Sequence, residues 1–163
     1  MKEAFLKVYD QEHERTMRVL RAYPQDKSEL RPHPKSKTAR ELAFVFTLER
    51  YLGEAVWNDE IAKRGLSGKP PEPPASWSEV VESAETSFQR FRGIVAAASD
   101  DDLRQQVTFM VGPKTMGQIS RHDWIWFLVH DEIHHRGQLS VYLRMADGKV
   151  PAIYGPSGDE PWI

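Results

Sequence analysis

The strongest constraint on the fold is an unbroken alternation of four- and three-residue spacings between apolar residues in the middle of the chain. The six apolar residues that form this pattern are Trp77, Val81, Ala84, Phe88, Phe91 and Val95. Because this spacing places all six side chains on one helix face, it predicts a helix that packs in a bundle. Ser76-Trp77-Ser78-Glu79 matches a capping box, in which Ser and Glu side chains satisfy free backbone N–H groups at a helix start. This helix is expected to end near Ser99.

Three further segments are predicted to be helical. The first covers about residues 2–22, ends before Pro24, and carries an apolar stripe of Leu6, Tyr9, His13, Met17 and Leu20. The second begins at a capping box, Thr38-Ala39-Arg40-Glu41, and reaches Trp57. The fourth begins with the capping residue Ser120 and continues to about Ala146. Between the third and fourth helices, residues 107–112 alternate weakly, which predicts an extended segment.

The connection between the second and third helices is long and proline-rich. Residues 65–74 read Gly-Leu-Ser-Gly-Lys-Pro-Pro-Glu-Pro-Pro, and proline both lacks the backbone N–H and clashes with the preceding helical turn. A length of 163 residues suits one domain, residues 1–163. The sequence therefore predicts an all-α fold, a single four-helix bundle with a long crossover between helices two and three.

Composition narrows the functional classes. The chain has no cysteine, which excludes disulfides and thiolate ligands and fits a reducing compartment such as the cytoplasm. Its 22 basic and 24 acidic residues are well mixed, so no basic stripe indicates a nucleic-acid partner. No run approaches the ~20 apolar residues that span a bilayer. We therefore expect a cytoplasmic protein without a membrane or nucleic-acid partner.

The residues best suited to chemistry lie in the fourth helix, just after residues 124–129, which are apolar on every side. Residues four apart share a helix face, so His130 pairs with His134, and Asp131 with His135. Either pair can supply two ligands to a divalent metal. The alternative is a buried polar network that closes the bundle, with Arg136 and Gln138 as partners.

A third ligand is expected from the second helix. Glu49 interrupts an apolar row made of Leu42, Val45, Leu52 and Val56. A carboxylate in such a row is a candidate ligand, or a general base whose pKa burial would raise. The alternative is a boundary glutamate paired with Arg or Lys. His13, in the apolar stripe of the first helix, is either a site residue or a hydrogen-bonded core residue.

The C-terminal third of the chain resembles a known family. His134-His135-Arg136-Gly137-Gln138, its continuation Tyr142-Leu143-Arg144, and the later Lys149-Val150-Pro151 and Ile153-Tyr154-Gly155-Pro156-Ser157 resemble the signature of the DinB/YfiT family. The resemblance implies an up-down-down-up bundle, frequent homodimers, and a divalent metal held by three histidines at one end of the bundle.

The resemblance also shows where this chain departs from the family. It places the last ligand at His135, the preceding one at Asp131, and the first near Val45, on a helix that has no histidine. A Glu49, Asp131, His135 site would be richer in oxygen, which favours manganese or iron over zinc or nickel. The alternatives are a site rotated onto His130 and His134, or a lost site.

The family resemblance implies a function as well. It implies a metal-dependent enzyme acting on a small molecule, either a transferase of low-molecular-weight thiols or, with water as the nucleophile, a hydrolase; no catalytic residue is assigned. The alternative is a non-catalytic, stress-linked homodimer with a degenerate metal site. An enzyme requires a cavity beside His135, whereas the structural alternative predicts saturated histidines and no cavity.

Overall fold

The computed structural model describes residues 1–65 and 69–163. That part of the chain contains six α-helices: α1 (Lys2–Ala22), α2 (Ala39–Trp57), α3 (Glu60–Arg64), α4 (Trp77–Ala97), α5 (Asp100–Arg104) and α6 (Arg121–Met145). It also contains two strands, β1 (Gln106–Gly112) and β2 (Thr115–Ser120), and a short 3₁₀ helix, Gln25–Lys27. In the predicted crossover, residues 66–68 lie outside the described residues, and the others are not helical.

The four long helices begin at the residues predicted from the sequence. The hydroxyl of Thr38 accepts from the backbone N–H of Glu41, and the Glu41 carboxylate accepts from the Thr38 N–H at 2.6 Å. Ser76 and Glu79 form the same reciprocal pair ahead of α4. Both predicted capping boxes are therefore confirmed.

The four long helices enclose two apolar clusters. In the first, the beginnings of α1 and α6 meet the ends of α2 and α4, and its buried members include Phe5, Trp57, Val95 and Trp124. In the second, the ends of α1 and α6 meet the beginnings of α2 and α4, and its members include Leu20, Ala43, Trp77 and Leu143. Helices α1 and α2 each contact both α4 and α6.

The prediction of an all-α fold was wrong in one region, because β1 and β2 form an antiparallel hairpin. Gln106 lies opposite Ser120, and the pairing runs to Gly112 opposite Thr115, with an irregularity between Met110 and Gly112. The extended segment at residues 107–112 was predicted, but its partner strand was not. Described residues thus form a mostly helical fold with a small two-stranded sheet.

Two buried ion pairs lie between the apolar clusters. Arg50 of α2 donates to Glu132 of α6 at 2.9 Å, and both side chains are almost fully buried. Arg136 of α6 pairs with Glu12 of α1 at 2.7 Å in an equally buried position. Within the described ranges, every buried side-chain nitrogen and oxygen has a hydrogen-bond partner. These charges are therefore paired, as buried charges in stable proteins are.

The C-terminal segment, residues 147–163, returns along α1 and α6. Arg18 pairs with Glu160 at 2.7 Å, and Arg144 pairs with Asp159 at 2.5 Å. The hydroxyl of Tyr154 accepts from Arg136 at 2.6 Å and donates to Glu12 at 2.5 Å. This segment is thus tied to one of the buried ion pairs. No helix among the described residues has the length and apolarity needed to cross a bilayer.

Candidate metal centre

Glu49, Asp131 and His135 meet at the contact between α2 and α6. One ligand atom from each of the three side chains lies within 4.8 Å of the other two. Nδ1 of His135 is 2.6 Å from Oε1 of Glu49 and 3.7 Å from Oδ1 of Asp131. The three side chains named as one possible ligand set from the sequence are therefore neighbours in the fold.

The helices that carry these residues explain how they meet. Asp131 and His135 are one turn apart on α6, so their side chains share a face of that helix. Glu49 lies on the face of α2 that packs on α6, one turn beyond the buried Val45, and it is 8% exposed. Asp131 and His135 are half-buried, so the cluster lies at the edge of the core.

The cluster holds a proton more tightly than its isolated groups would. Burial raises the pKa of the Glu49 carboxyl to about 7, although the hydrogen bond and positive charge of His135 lower it. The hydrogen bond to Glu49 raises the pKa of His135. The charge of Asp131 raises both pKa values, while Arg50 opposes this at Glu49 and Lys37 opposes it at His135. Both shifts favour a proton in the hydrogen bond that joins His135 and Glu49.

The donor atoms fit a divalent transition metal. One imidazole nitrogen and two carboxylate oxygens are ligands that zinc, iron and manganese accept, at about 2.0–2.2 Å. Two carboxylates also neutralise the charge of a divalent cation. Ligand atoms around one ion lie about 3 Å apart or more, so binding requires Glu49 and His135 to lose the proton between them and separate slightly, and the Asp131 carboxylate to turn toward them. The residues present therefore fit a metal ion.

Metal affinity is expected to weaken as the pH falls from about 8 to about 6, by about tenfold per pH unit for each displaced proton. Affinity falls with falling pH because the pKa values of Glu49 and His135 are raised, and both groups must be deprotonated to donate a lone pair to the ion. Competition with a chromogenic chelator at each pH measures this dependence, and calorimetry in two buffers of different ionisation enthalpy counts the released protons. A pH-independent affinity would contradict the shared proton.

The other histidines of the run lie outside this cluster. His130 and His134 are exposed on α6, where His134 contacts Gln138 at 2.9 Å and His130 lies near Trp126. The rotated site on His130 and His134 thus has no third ligand grouped with it in the described residues. His13 is a buried, hydrogen-bonded core residue, because it stacks on Phe88 at 3.6 Å and contacts Glu85 at 3.2 Å.

Sequence reasoning missed the buried ion pairs formed by the two charged residues that flank the cluster on α6. Glu132 and Arg136 each follow a candidate ligand by one position, and both point into the bundle interior. Arg136, which was named as a partner only in the alternative of a buried polar network around the histidines, contacts Glu12 and Tyr154 instead. The signal that identifies them is their position: they are four residues apart, on the buried face that Leu128 and Leu139 share.

A cavity of about 530 Å³ lies beside the cluster. His135 forms part of its wall, together with Lys35 and Lys37 from the loop before α2 and with Gln138 and Tyr142 from α6. The Tyr142 hydroxyl donates to the backbone carbonyl of Lys37 at 3.1 Å, which holds the loop against α6. The volume lies within the range of small-molecule sites. A cavity beside His135 was expected of an enzyme, whereas a purely structural histidine cluster was expected to have none.

Known proteins with the same fold share this architecture over nearly their whole length. A DinB-like protein from Bacillus cereus ATCC 10987 superposes with a TM-score of 0.72, at 20% identity, over 93% of this chain and 97% of its own. The DinB-like protein YjoA from Bacillus subtilis superposes with a TM-score of 0.68, at 15% identity, over 91% of this chain and 96% of its own. At these identities the likeness shows the fold alone.

Sequence comparisons identify the family directly. The Bacillus subtilis protein YrdA is 34% identical over 62 residues, which are 38% of this chain and 34% of YrdA, so the match spans about a third of that relative. The model of the DinB family matches residues 1–161. With a match over nearly its whole length, this chain belongs to the DinB family.

Proposed function

We propose that this DinB-family protein is a metal-dependent enzyme that acts on a small molecule, as a thiol transferase or a hydrolase. The observation that carries the proposal is the meeting of Glu49, Asp131 and His135 beside the 530 Å³ cavity that His135 lines. Those residues would hold the ion. A divalent ion bound there supplies Lewis acidity, which favours ionisation of a thiol or a water.

The side chains of the cluster have distinct roles in this proposal. His135 is the ligand that lies between the core and the cavity, and it is 2.6 Å from Glu49. Glu49 and Asp131 supply the two negative charges that balance the ion. Three protein donors are fewer than such ions take, so a substrate atom can complete the coordination. The four long helices, in the up-down-down-up order that the family resemblance implies, hold α2 against α6 and so fix the ligand positions.

Metal content tests the proposal. Untagged protein, loaded with manganese, iron or zinc and then dialysed, is expected to hold about one ion per chain by elemental mass spectrometry. The variant His135→Ala is expected to lose that ion. His134→Ala is the matched control, because its neighbouring imidazole is exposed and outside the cluster, and it is expected to keep the ion.

Activity assays follow from that result. Loaded protein is expected to catalyse either addition of a thiol to an electrophile or hydrolysis of an activated ester, and His135→Ala to lose this activity. Metal absent from the wild-type protein, or lost equally from both variants, would overturn the proposal in favour of a non-catalytic bundle. The homodimer, the cytoplasmic location and the absence of a nucleic-acid partner stay predictions.

A further inference from the structure

The wall of the cavity beside His135 is divided into a cationic side and an apolar side. The cationic side consists of Lys35, Ser36 and Lys37, from the loop before α2. The opposite part of the wall includes Val141 and Met145 of α6, whose side chains are 59% and 50% exposed. Large apolar side chains beside a cavity offer contact area to the carbon skeleton of a ligand.

The two lysines of this wall are not held in ion pairs. Within residues 1–65 and 69–163, neither Lys35 nor Lys37 forms a salt bridge. The nearby Glu41 is already engaged, because its carboxylate accepts from the backbone N–H of Thr38 at 2.6 Å and pairs with Arg31 at 3.3 Å. Lys35 and Lys37 therefore line the cavity without a salt-bridge partner, although the hydrogen bond from Thr38 and, less strongly, the charge of Lys37 lower the pKa of Glu41.

The acidic residues of the candidate metal centre would not cancel the positive charge of the cavity wall. Among the described residues, those that line the cavity include no aspartate or glutamate. The two carboxylates of the candidate metal centre, Glu49 and Asp131, would be neutralised by a divalent ion. Lys35 and Lys37 then leave positive charge at the cavity wall, and a cleft lined by charge of one sign attracts ligands of the opposite sign.

We propose that the cavity binds an anionic small molecule, whose carboxylate or other acidic group is held by Lys35 and Lys37 while its reacting group faces His135. The apolar part of the molecule contacts Val141 and Met145. This inference rests on the proposed function, since it names the substrate class of the same site. The hydrogen bond from Tyr142 to the Lys37 carbonyl keeps the cationic loop in place before the substrate arrives.

Three small thiols with the same two-carbon spacer test the inference: 3-mercaptopropionate is anionic, 2-mercaptoethanol is neutral and cysteamine is cationic. The protein is loaded with Co²⁺, and the absorption band that arises from thiolate binding to cobalt gives a dissociation constant for each thiol. The variants are the double substitution Lys35→Ala/Lys37→Ala and its charge-preserving counterpart Lys35→Arg/Lys37→Arg. Lys27→Ala, a change at an exposed lysine outside the cavity, is the control.

Removal of both lysines is expected to weaken 3-mercaptopropionate binding by about tenfold, because charge-assisted contacts are lost. Binding of 2-mercaptoethanol is expected to change less than twofold, and that of cysteamine to stay the same or strengthen. Lys27→Ala is expected to change none of the three, and the Arg variant to retain most of the anionic preference. Each thiol is compared with itself between proteins, so differences in thiol acidity cancel.

Failure of the inference is distinguishable from failure of the metal centre. If Co²⁺ binds in proportion to the protein but the alanine variant weakens all three thiols equally, or weakens none, the anionic substrate class is wrong and the metal centre stands. If no thiol gives a cobalt band in metal-loaded protein, the inference is also overturned. If Co²⁺ does not bind to the wild-type protein, the proposed function fails first and the inference fails with it.

Discussion

Replacement of Glu132 by leucine is expected to lower the free energy of unfolding by about 3–5 kcal/mol. The reason is that Arg50, whose side chain is 4% exposed, loses the carboxylate that lies 2.9 Å from its guanidinium group. The hydroxyl of Thr16, which donates to Glu132 at 2.7 Å, loses an acceptor as well. An unpaired charge in the interior costs far more than the pair itself contributes. Urea denaturation followed by circular dichroism measures the loss.

A double variant separates the uncompensated charge from the loss of the side chain. Arg50→Met combined with Glu132→Leu replaces the ion pair by apolar groups of similar size, and it is expected to recover at least about 2 kcal/mol of the loss. Full recovery is not expected, because Tyr9 and the Phe46 carbonyl also accept from Arg50. A double variant that is as unstable as Glu132→Leu would contradict this account.

Replacement of Trp124 by alanine is expected to cost about 3–5 kcal/mol of unfolding free energy. Its indole ring is fully buried and packs on Phe109 of β1 at 4.4 Å and on Phe127 at 5.5 Å. Its N–H donates to the backbone carbonyl of Gly53 at 3.3 Å. The substitution therefore leaves a large cavity where α2, α6 and the hairpin meet. The urea midpoint measures the stability, and amide hydrogen exchange reports whether the hairpin loosens first.

An exposed tryptophan near the C-terminus, Trp162, provides a matched control. Trp162 is 66% exposed, so Trp162→Ala removes the same side chain from a site that packs little, and its effect is expected to stay within about 0.5 kcal/mol. Trp124→Phe keeps most of the apolar volume and is expected to cost less than alanine. Equal losses for Trp124→Ala and Trp162→Ala would show that burial does not determine the contribution of these rings.

Local signals were sufficient to predict the long helices. Thr38 and Ser76 cap their helices through short-range hydrogen bonds, and such contacts depend only on residues three positions apart. The strand Thr115–Ser120 was missed because its sequence, Thr-Met-Gly-Gln-Ile-Ser, does not alternate between apolar and polar residues. Gly117 in that strand has no side chain, and a Cβ there would lie 2.7 Å from Val111 on the partner strand. The Val111 side chain thus packs directly against the backbone of Gly117, a contact that no apolar alternation in the sequence indicates.

The rotation of α6 could not be read from the sequence. Residues 124–129 are apolar on every side, yet Phe127 is 46% exposed and covers the hairpin, while Glu132 and Arg136 are buried. A rule that places apolar residues inside and charges outside therefore gives no single buried face. Contacts with α1 and α2 decide the rotation, because Glu12 and Arg50 offer the complementary charges. This choice turns Asp131 and His135 toward Glu49.

Two adjacent residues of the signature sequence have different roles, because Arg136 makes buried structural contacts while His135 belongs to the candidate metal centre. His135 and Arg136 are adjacent in the chain, but the first faces the cavity and the second ties Glu12 to Tyr154 of the C-terminal segment. The contacts that stabilise the fold at Arg136 are therefore separate from the donor atoms of the candidate metal centre. In this chain the arginine of the motif anchors the C-terminal segment, whereas the donor set beside it depends on residues outside the motif, those at positions 49 and 131.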